Sequence, residues 1–211
     1  MDDLRPKILI IGPLPPPFGG GIASILHAVR AEPALQKYRL RYIDTSYSTH
    51  LAGRPLARLA FSLLLLVRLC WCLLSFRPGL VHVHSSAYYS FYEKAVMLAL
   101  CRLAGRQTVL QVHSGRFENF YRSSPLKPLI RAGLRLARVI VAVSPRWREW
   151  FQAITPARVE LVPNCVSAEF MAAPTETNRE PLVLFVGSLV RSSGLFQFGK
   201  LPFTGRAARQ N

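Results

Sequence analysis

Acidic residues are scarce in this chain: its 211 residues include 11 Asp or Glu against 27 Lys or Arg, for a net charge of +16. Such a surplus attracts polyanions, which include nucleic acids, anionic membrane surfaces and phosphorylated small molecules. The basic residues are scattered, however, and no basic run is interleaved with aromatic residues, as nucleic-acid-binding segments require. We therefore expect no nucleic-acid partner, while an anionic membrane surface and phosphorylated ligands remain open.

Cysteine pairs with metal-ligand spacing are also missing. The four cysteines, Cys70, Cys72, Cys101 and Cys165, form no C-x-x-C motif, so we expect no metal site and a reducing compartment. The N-terminal stretch MDDLRPK begins with two acids and lacks the pattern of a signal peptide. These features predict a cytoplasmic protein, with peripheral attachment at the inner face of the membrane as a further option.

Neither common nucleotide-binding glycine motif is present. The chain has no G-x-G-x-x-G and no G-x-x-x-x-G-K-[ST] after a strand, and Asp44 is the only trace of the ribose-binding acid of a nicotinamide site. In their place, KILIIGPLPPPFGGGIASILHAVR joins an apolar run to a helical pattern through prolines and Gly19, Gly20 and Gly21. Glycines allow a ligand to approach the backbone closely, so we interpret this loop as an anion or ligand site rather than a bare connection.

Short β-branched runs alternate with helical patterns along the chain. The predicted strands are Ile8 to Ile11, Leu40 to Asp44, Leu80 to His84, Thr108 to His113, Val139 to Val143 and Val159 to Val162. The predicted helices are Ile22 to Ala31, Ala57 to Phe76, Tyr92 to Ala104, Leu126 to Ala137 and Pro145 to Ala153. This alternation predicts an α/β fold with a doubly wound parallel sheet.

The stretch LARLAFSLLLLVRLCWCLLSF is apolar over nearly the length of a membrane span. Arg58 and Arg68 interrupt it, and Arg68 would lie near the middle of any span. Three interpretations remain open: a helix that packs on the sheet, a helix that also contacts a membrane surface, and a true span.

Polar residues follow several predicted strands and should collect at one rim of the sheet. They are His84 with Ser85, His113 with Ser114, Ser144, and Asn164. A histidine at the tip of a parallel strand is well placed for chemistry, so His113 is the first candidate and His84 the second. His82 points to the opposite side of its strand from its neighbours and is the weakest candidate of the three.

An ordered series of segments gives the chain a resemblance to a known family. The segments are KILIIGPLPPPFGGGIAS, RPGLVHVHSS, TVLQVHSG, ARVIVAVSPRWREWF, VELVPNCVSAEF and PLVLFVGSLVRSSGL. Together, from about Lys7 to Leu195, they resemble the N-terminal half of the retaining, nucleotide-sugar-dependent glycosyltransferases of the GT-B fold, and more narrowly glycosyltransferase group 1, or family 4.

The resemblance implies a Rossmann-like, acceptor-side domain that faces a donor-binding domain across a cleft. It places Gly19 to Gly21 near the donor phosphates and the acceptor, His113 in the cleft as the catalytic candidate, and Asn164 in a P-N-G-V-D turn. The implied reaction transfers a sugar from a nucleotide-diphosphate sugar to a saccharide or lipid-linked acceptor hydroxyl in surface polysaccharide or glycolipid synthesis. It retains configuration and uses no cofactor and no metal.

The sequence also departs from the family pattern. Ser188 and Ser193 stand where the family has the Arg and Lys of G-R-L-x-x-x-K-G, and the E-x7-E pair is absent. We therefore predict an acceptor-side domain over residues 1–172, a linker over 173–181 and a truncated start of the donor domain over 182–211, with little activity alone. The alternative is a non-catalytic module that docks on an anionic membrane or on a partner transferase.

Overall fold

Six segments rich in aliphatic residues form one sheet in which all strands are parallel. The structure is a computed structural model that describes residues 5–15, 20–51 and 53–165, all within the first of two compact units, Met1–Met171. The strands are β1 (Lys7–Gly12), β2 (Arg39–Asp44), β3 (Leu80–Ser85), β4 (Gln107–Val112), β5 (Val139–Ala142) and β6 (Arg158–Leu161). Their order is β2-β1-β3-β4-β5-β6, which confirms the predicted α/β parallel sheet.

Helices connect successive strands. They are α1 (Gly21–Ala31), α2 (Ser46–His50), α3 (Pro55–Ser75), α4 (Tyr89–Leu103), α5 (Phe117–Ser123), α6 (Lys127–Arg135) and α7 (Pro145–Ile154), with a 3-10 turn at Pro33–Lys37. The five predicted helices are present with ends shifted by up to three residues. Helices α2 and α5 were not predicted, because each is too short to show several turns of apolar periodicity.

The two faces of the sheet are covered differently. On one face the aliphatic side chains of β1, β3, β4 and β5 join those of α3, α4 and α6 in one buried cluster. On the other face Leu26 of α1 lies against the sheet at Gly12 and His84. Helices therefore lie on both faces, as a doubly wound sheet requires.

Aromatic rings fix the helices that follow β3, β4 and β5. Phe117 of α5 makes edge contacts with Phe91 of α4 at 5.2 Å and with Trp150 of α7 at 5.9 Å between ring centroids. Phe117 and Phe91 are buried. Edge-to-face pairs add about 0.5–1.5 kcal/mol to the free energy of burial, so this cluster holds the loops at the carboxyl ends of the strands in place.

Helix α3 carries two apolar stripes rather than one. Leu65, Leu69 and Leu73 are buried in the core, so the helix packs on the sheet domain. A second stripe faces solvent and includes Leu56, Val67, Trp71 and Leu74, each at least 66% exposed, together with Leu59, Leu63 and Leu64. Among the described residues, α3 is the one helix that is long enough and apolar enough to cross a membrane.

Part of the predicted organisation concerns residues beyond 165. The linker over 173–181 and the start of a donor domain over 182–211 lie outside the described residues. These two expectations stay predictions.

Candidate functional site

The carboxyl ends of β1, β2, β3 and β4 meet at one edge of the sheet. The strand register pairs Gly12 with Asp44 and Ser85 with Val112, and the His113 N–H donates to the Ser85 carbonyl at 3.0 Å. Loops and helix N-termini therefore converge here, which is where open parallel sheets bind their ligands.

Asp44 holds the start of the loop that follows β1. Its Oδ1 accepts hydrogen bonds from the Leu14 N–H at 3.0 Å and from the Ser46 N–H at 2.9 Å. The Leu14 N–H also lies 3.0 Å from Ser46 Oγ, which donates in turn to the Leu14 carbonyl. Asp44 Oδ1 therefore anchors the loop that follows β1.

Glycines at this edge have different physical roles. At Gly12 a Cβ would lie 2.8 Å from Leu26 Cδ1 and 3.1 Å from His84 Cβ, so the position is too crowded for a side chain. Gly20 is the N-cap of α1 with φ +146° and ψ 162°, a conformation essentially restricted to glycine. Gly21 has open space around it. Gly19 lies outside the described residues.

Three histidine rings contact one another in a row across β3 and the end of β4. The His82 and His84 ring centroids are 4.2 Å apart, those of His84 and His113 are 5.1 Å apart, and His84 Nδ1 lies 2.9 Å from His113 Nε2. One of these two nitrogens must donate and the other accept, so at least the accepting ring is neutral when this bond is made. The structure therefore joins His84 and His113 and adds His82, the weakest of the three sequence candidates.

Burial disfavours the charged form of each ring. Removal from water lowers the pKa of His82 to about 4, with a smaller contribution from repulsion by His113. Burial alone lowers the pKa of His113 to about 4, and burial together with the two neighbouring rings lowers the pKa of His84 well below its ordinary value. At neutral pH the cluster is uncharged. Among the described residues, no group of His, Cys, Asp or Glu is arranged to hold a metal ion.

A cavity of about 260 Å³ opens beside His84. Its lining combines hydroxyl, cationic and small apolar side chains: Pro13, Ile22, Thr45, Ser48, Arg58, His84, Ser86, Ala87, Tyr88, Tyr89, Ser90 and Lys94. Because these residues come from the loops and helices after β1, β2 and β3, the cavity forms at the predicted edge of the sheet.

A buried polar network forms one wall of this cavity. Glu93 Oε1 accepts hydrogen bonds from Ser62 Oγ at 2.5 Å and from Ser48 Oγ at 3.1 Å, and Glu93 Oε2 pairs with the Lys94 ammonium. Glu93 and Lys94 side chains are each 3% exposed. Burial lowers the pKa of Lys94, and Glu93 opposes that shift. Both carboxylate oxygens of Glu93 therefore have partners, and Glu93 is the counter-ion of Lys94.

The mouth of the cavity carries a strained backbone. Tyr88 has φ +60° and ψ −133°, which costs a non-glycine residue on the order of 1–3 kcal/mol. Its ring packs against Phe120 at 5.1 Å between centroids, and its carbonyl accepts the Phe91 N–H at 3.0 Å. These contacts hold Tyr88 at the cavity even though its side chain is half exposed.

The remaining predicted residues are placed less centrally. Ser85 is buried, and its hydroxyl donates to the Ser86 carbonyl. Ser114 accepts the Arg116 N–H, and Ser144 caps α7 by accepting the Trp147 N–H. Ser114, Ser144 and the exposed Asn164 are absent from the described lining of the cavity. Their assignment to the site stays a prediction.

Sequence reasoning missed Arg58, Glu93 and Lys94. Arg58 was noticed only as a break in an apolar run. Glu93 and Lys94 are adjacent in a helix, a pattern that usually marks a solvated surface. An available signal was the spacing of Tyr89 and Glu93, which puts two polar side chains on the same helix face as buried apolar residues.

One comparison with known proteins is informative. Residues 20–170 match the family model described as Glycosyltransferase Family 4. The match covers Gly20 and Gly21, the histidine cluster and every residue of the cavity lining except Pro13. No curated protein matches the chain.

Proposed function

Because this chain belongs to glycosyltransferase family 4, we propose that it supplies the acceptor side of a sugar transfer. The donor would be a nucleotide-diphosphate sugar, and the acceptor a saccharide or lipid-linked hydroxyl, with retained configuration and without a metal or cofactor. The observation that carries this proposal is the cavity at the carboxyl edge of the sheet, beside the hydrogen-bonded pair of His84 and His113.

The lining suits a saccharide. Hydroxyl groups of Thr45, Ser48 and Ser90 can each donate and accept, which matches the hydroxyls of a sugar. Ala87 and Ile22 supply apolar surface that excludes water and strengthens those hydrogen bonds. The cavity thus serves to orient an acceptor before transfer.

In this proposal the neutral histidine pair takes part without an ionised ring. His113 Nδ1 is buried and has no hydrogen-bond partner among the described residues. Because His113 Nε2 is engaged by His84, a polar group of the bound substrates is the partner that Nδ1 would take. His113 would then position a reacting hydroxyl or sugar, and a low pKa would keep it neutral at physiological pH.

The test separates acceptor binding from transfer. We expect the 211-residue chain to bind saccharide acceptors, measured by saturation-transfer NMR, and to transfer little sugar from labelled nucleotide sugars. Joining residues 1–172 to a donor-binding domain of a family member should restore transfer, and His113→Ala in that chimera should lower it at least about tenfold, equivalent to roughly 1.4 kcal/mol. Robust transfer by the 211-residue chain, or a chimera indifferent to His113→Ala, would contradict the proposal.

A second proposal concerns the membrane surface, and the exposed stripe of α3 supports it. Its apolar residues can enter the headgroup region while the positive charge of the protein faces anionic lipids. Each basic residue near the surface would contribute on the order of 1 kcal/mol, less at high salt.

Sedimentation with phosphatidylserine-containing and pure phosphatidylcholine vesicles tests this membrane proposal. We expect binding at low salt that weakens at high salt, and a large loss with Trp71→Ser. Absence of binding at low salt would show that the stripe contacts something else. Retention that only detergent releases would favour a spanning helix.

A further inference from the structure

Among the described residues that line the cavity beside His84, Arg58 of α3 is the one cation without a counter-ion. We propose that its guanidinium binds a carboxylate of the acceptor, so that the cavity accepts an acidic sugar, such as a uronic acid, in preference to a neutral one. This inference rests on the proposed acceptor-side function and narrows its substrate class.

An aromatic ring holds Arg58 in place. The guanidinium carbon lies 3.6 Å from the centre of the Tyr89 ring, and the face of an aromatic ring attracts a cation. Tyr89 is itself anchored, because its hydroxyl oxygen lies 2.8 Å from Ser62 Oγ. A guanidinium that is oriented before the ligand arrives loses little conformational freedom on binding.

The hydrogen-bond donors of the Arg58 side chain are not used within the described part of the chain. Nε is the one nitrogen of the group that is buried without a partner. The two terminal nitrogens are therefore open, and the side chain lines the cavity. Two parallel N–H donors on one planar group match the two oxygens of a carboxylate.

The other charges near the cavity favour a ligand with a single negative charge. Lys94 is already neutralised, because it pairs with Glu93 and both side chains are 3% exposed. Asp44 is also near: burial lowers the pKa of Lys94 most, while Glu93 and Asp44 favour its charged form. A phosphate with two charges would face both carboxylates with one free cation, whereas a carboxylate matches Arg58 alone.

The remaining lining suits one sugar ring. The cavity volume of about 260 Å³ is slightly below the range of about 300–1,000 Å³ that is typical of ligand pockets. Ser90 Oγ accepts the Ser86 N–H at 3.3 Å, so the Ser90 hydroxyl hydrogen is free to donate to a sugar oxygen. Because Ser90, Thr45 and Arg58 border the same space, one ring can bind through its hydroxyls and its carboxylate together.

Chemical-shift titration of the isotope-labelled full chain tests this preference with two matched pairs of sugars. The pairs are methyl glucuronide with methyl glucoside, and methyl galacturonide with methyl galactoside, and each pair differs only by a carboxylate in place of a hydroxymethyl group. We expect the acid of at least one pair to bind at least about tenfold more tightly than its neutral partner. Glucose 6-phosphate and galactose 6-phosphate should bind more weakly than that acid.

The outcomes separate this inference from the proposed function. Equal affinities within both pairs, or tighter binding of a sugar phosphate, would overturn the acidic-sugar preference and leave the acceptor-side function standing. If none of the sugars binds, both the preference and the acceptor-side function are wrong.

Variants show whether the preference belongs to Arg58. Arg58→Gln should remove it, and Arg58→Lys should retain only part of it, because a lysine keeps the charge but not the planar pair of donors. Arg102→Gln, an equal change of charge at an exposed position of α4, should leave the preference unchanged and so controls for the general positive charge. A preference that persists in Arg58→Gln, with an amide spectrum typical of the folded chain, contradicts the proposal. Should Arg58→Gln not fold, an undiminished preference in Arg58→Lys contradicts it equally.

Discussion

The row of histidine rings makes the stability of this domain depend on pH. Acidification is the perturbation, and His82 is the residue to follow, because it lies outside the cavity lining and has a pKa of about 4 in the folded chain. An unfolded histidine has a pKa of about 6.5. Between these two values the unfolded chain binds more protons than the folded one, so the free energy of unfolding falls as the pH falls. Above about pH 6.5 the ring is neutral in both states, so His82 no longer makes the free energy of unfolding depend on pH.

The magnitude follows from the two pKa values. One proton of difference changes the free energy of unfolding by about 1.4 kcal/mol per pH unit. For a single histidine with these pKa values, the loss between about pH 7 and about pH 5 is roughly 2 kcal/mol. Because the three rings interact, their protonation is coupled, and the loss for the whole cluster exceeds that of one ring.

Urea unfolding followed by tryptophan fluorescence measures this loss at both pH values. His82→Gln should reduce the loss by about 2 kcal/mol relative to the unmodified chain. His27→Gln, a change of an exposed histidine on α1, should leave it unchanged and thereby controls for general charge repulsion. His82→Gln is the decisive variant. If it loses as much stability between the two pH values as the unmodified chain and His27→Gln do, His82 is not buried as a neutral ring and the reasoning is refuted.

Three further predictions concern glycines and the C-terminal segment. Gly12→Ala should destabilise the domain by about 1–3 kcal/mol, because its Cβ would meet Leu26 and His84, whereas Gly21→Ala should be neutral or slightly stabilising; equal melting temperatures would refute the close approach. Gly20→Val should cost about 1–3 kcal/mol of backbone strain and, in the chimera with a donor domain, lower transfer at least about tenfold; full activity would remove Gly20 from the site. Deleting residues from 180 onward should raise solubility without lowering the melting temperature, and a large loss of stability would show that the segment packs on the domain.

The fold could be predicted because its signals are local. The aliphatic runs at β1, β3, β4 and β5 are buried on both sides of the sheet and read as continuous apolar segments. Helix α3 was located with nearly correct ends, but only the structure showed that it has one buried and one exposed apolar stripe. Both stripes consist of similar residues, so composition alone could not separate them.

The candidate site was predicted only in part, for a physical reason. Strand-end residues such as His84 and His113 follow from topology, since parallel strands bring their carboxyl ends together. Lys94 and Glu93 are instead buried by contacts between α3, α4 and α2 that join residues 31 to 45 positions apart. Such a pair has the local sequence of a surface helix, and its burial depends on a tertiary arrangement that the local pattern does not contain.

The buried polar groups beside the cavity are better explained by ligand binding than by a contribution to stability. The core around Leu9, Val81 and Leu110 is apolar and tightly buried. The first half of α4 nevertheless buries Glu93 and Lys94, with Glu93 hydrogen-bonded to Ser62 of α3. Replacing a buried ion pair by apolar residues of similar volume is often neutral or stabilising, so folding alone gives no reason to keep it. Binding of the proposed saccharide acceptor does give such a reason, because only polar walls can replace the water that the hydroxyl groups of the acceptor lose. The same reasoning accounts for Arg58, which lies beside this cavity on a helix otherwise dominated by leucine.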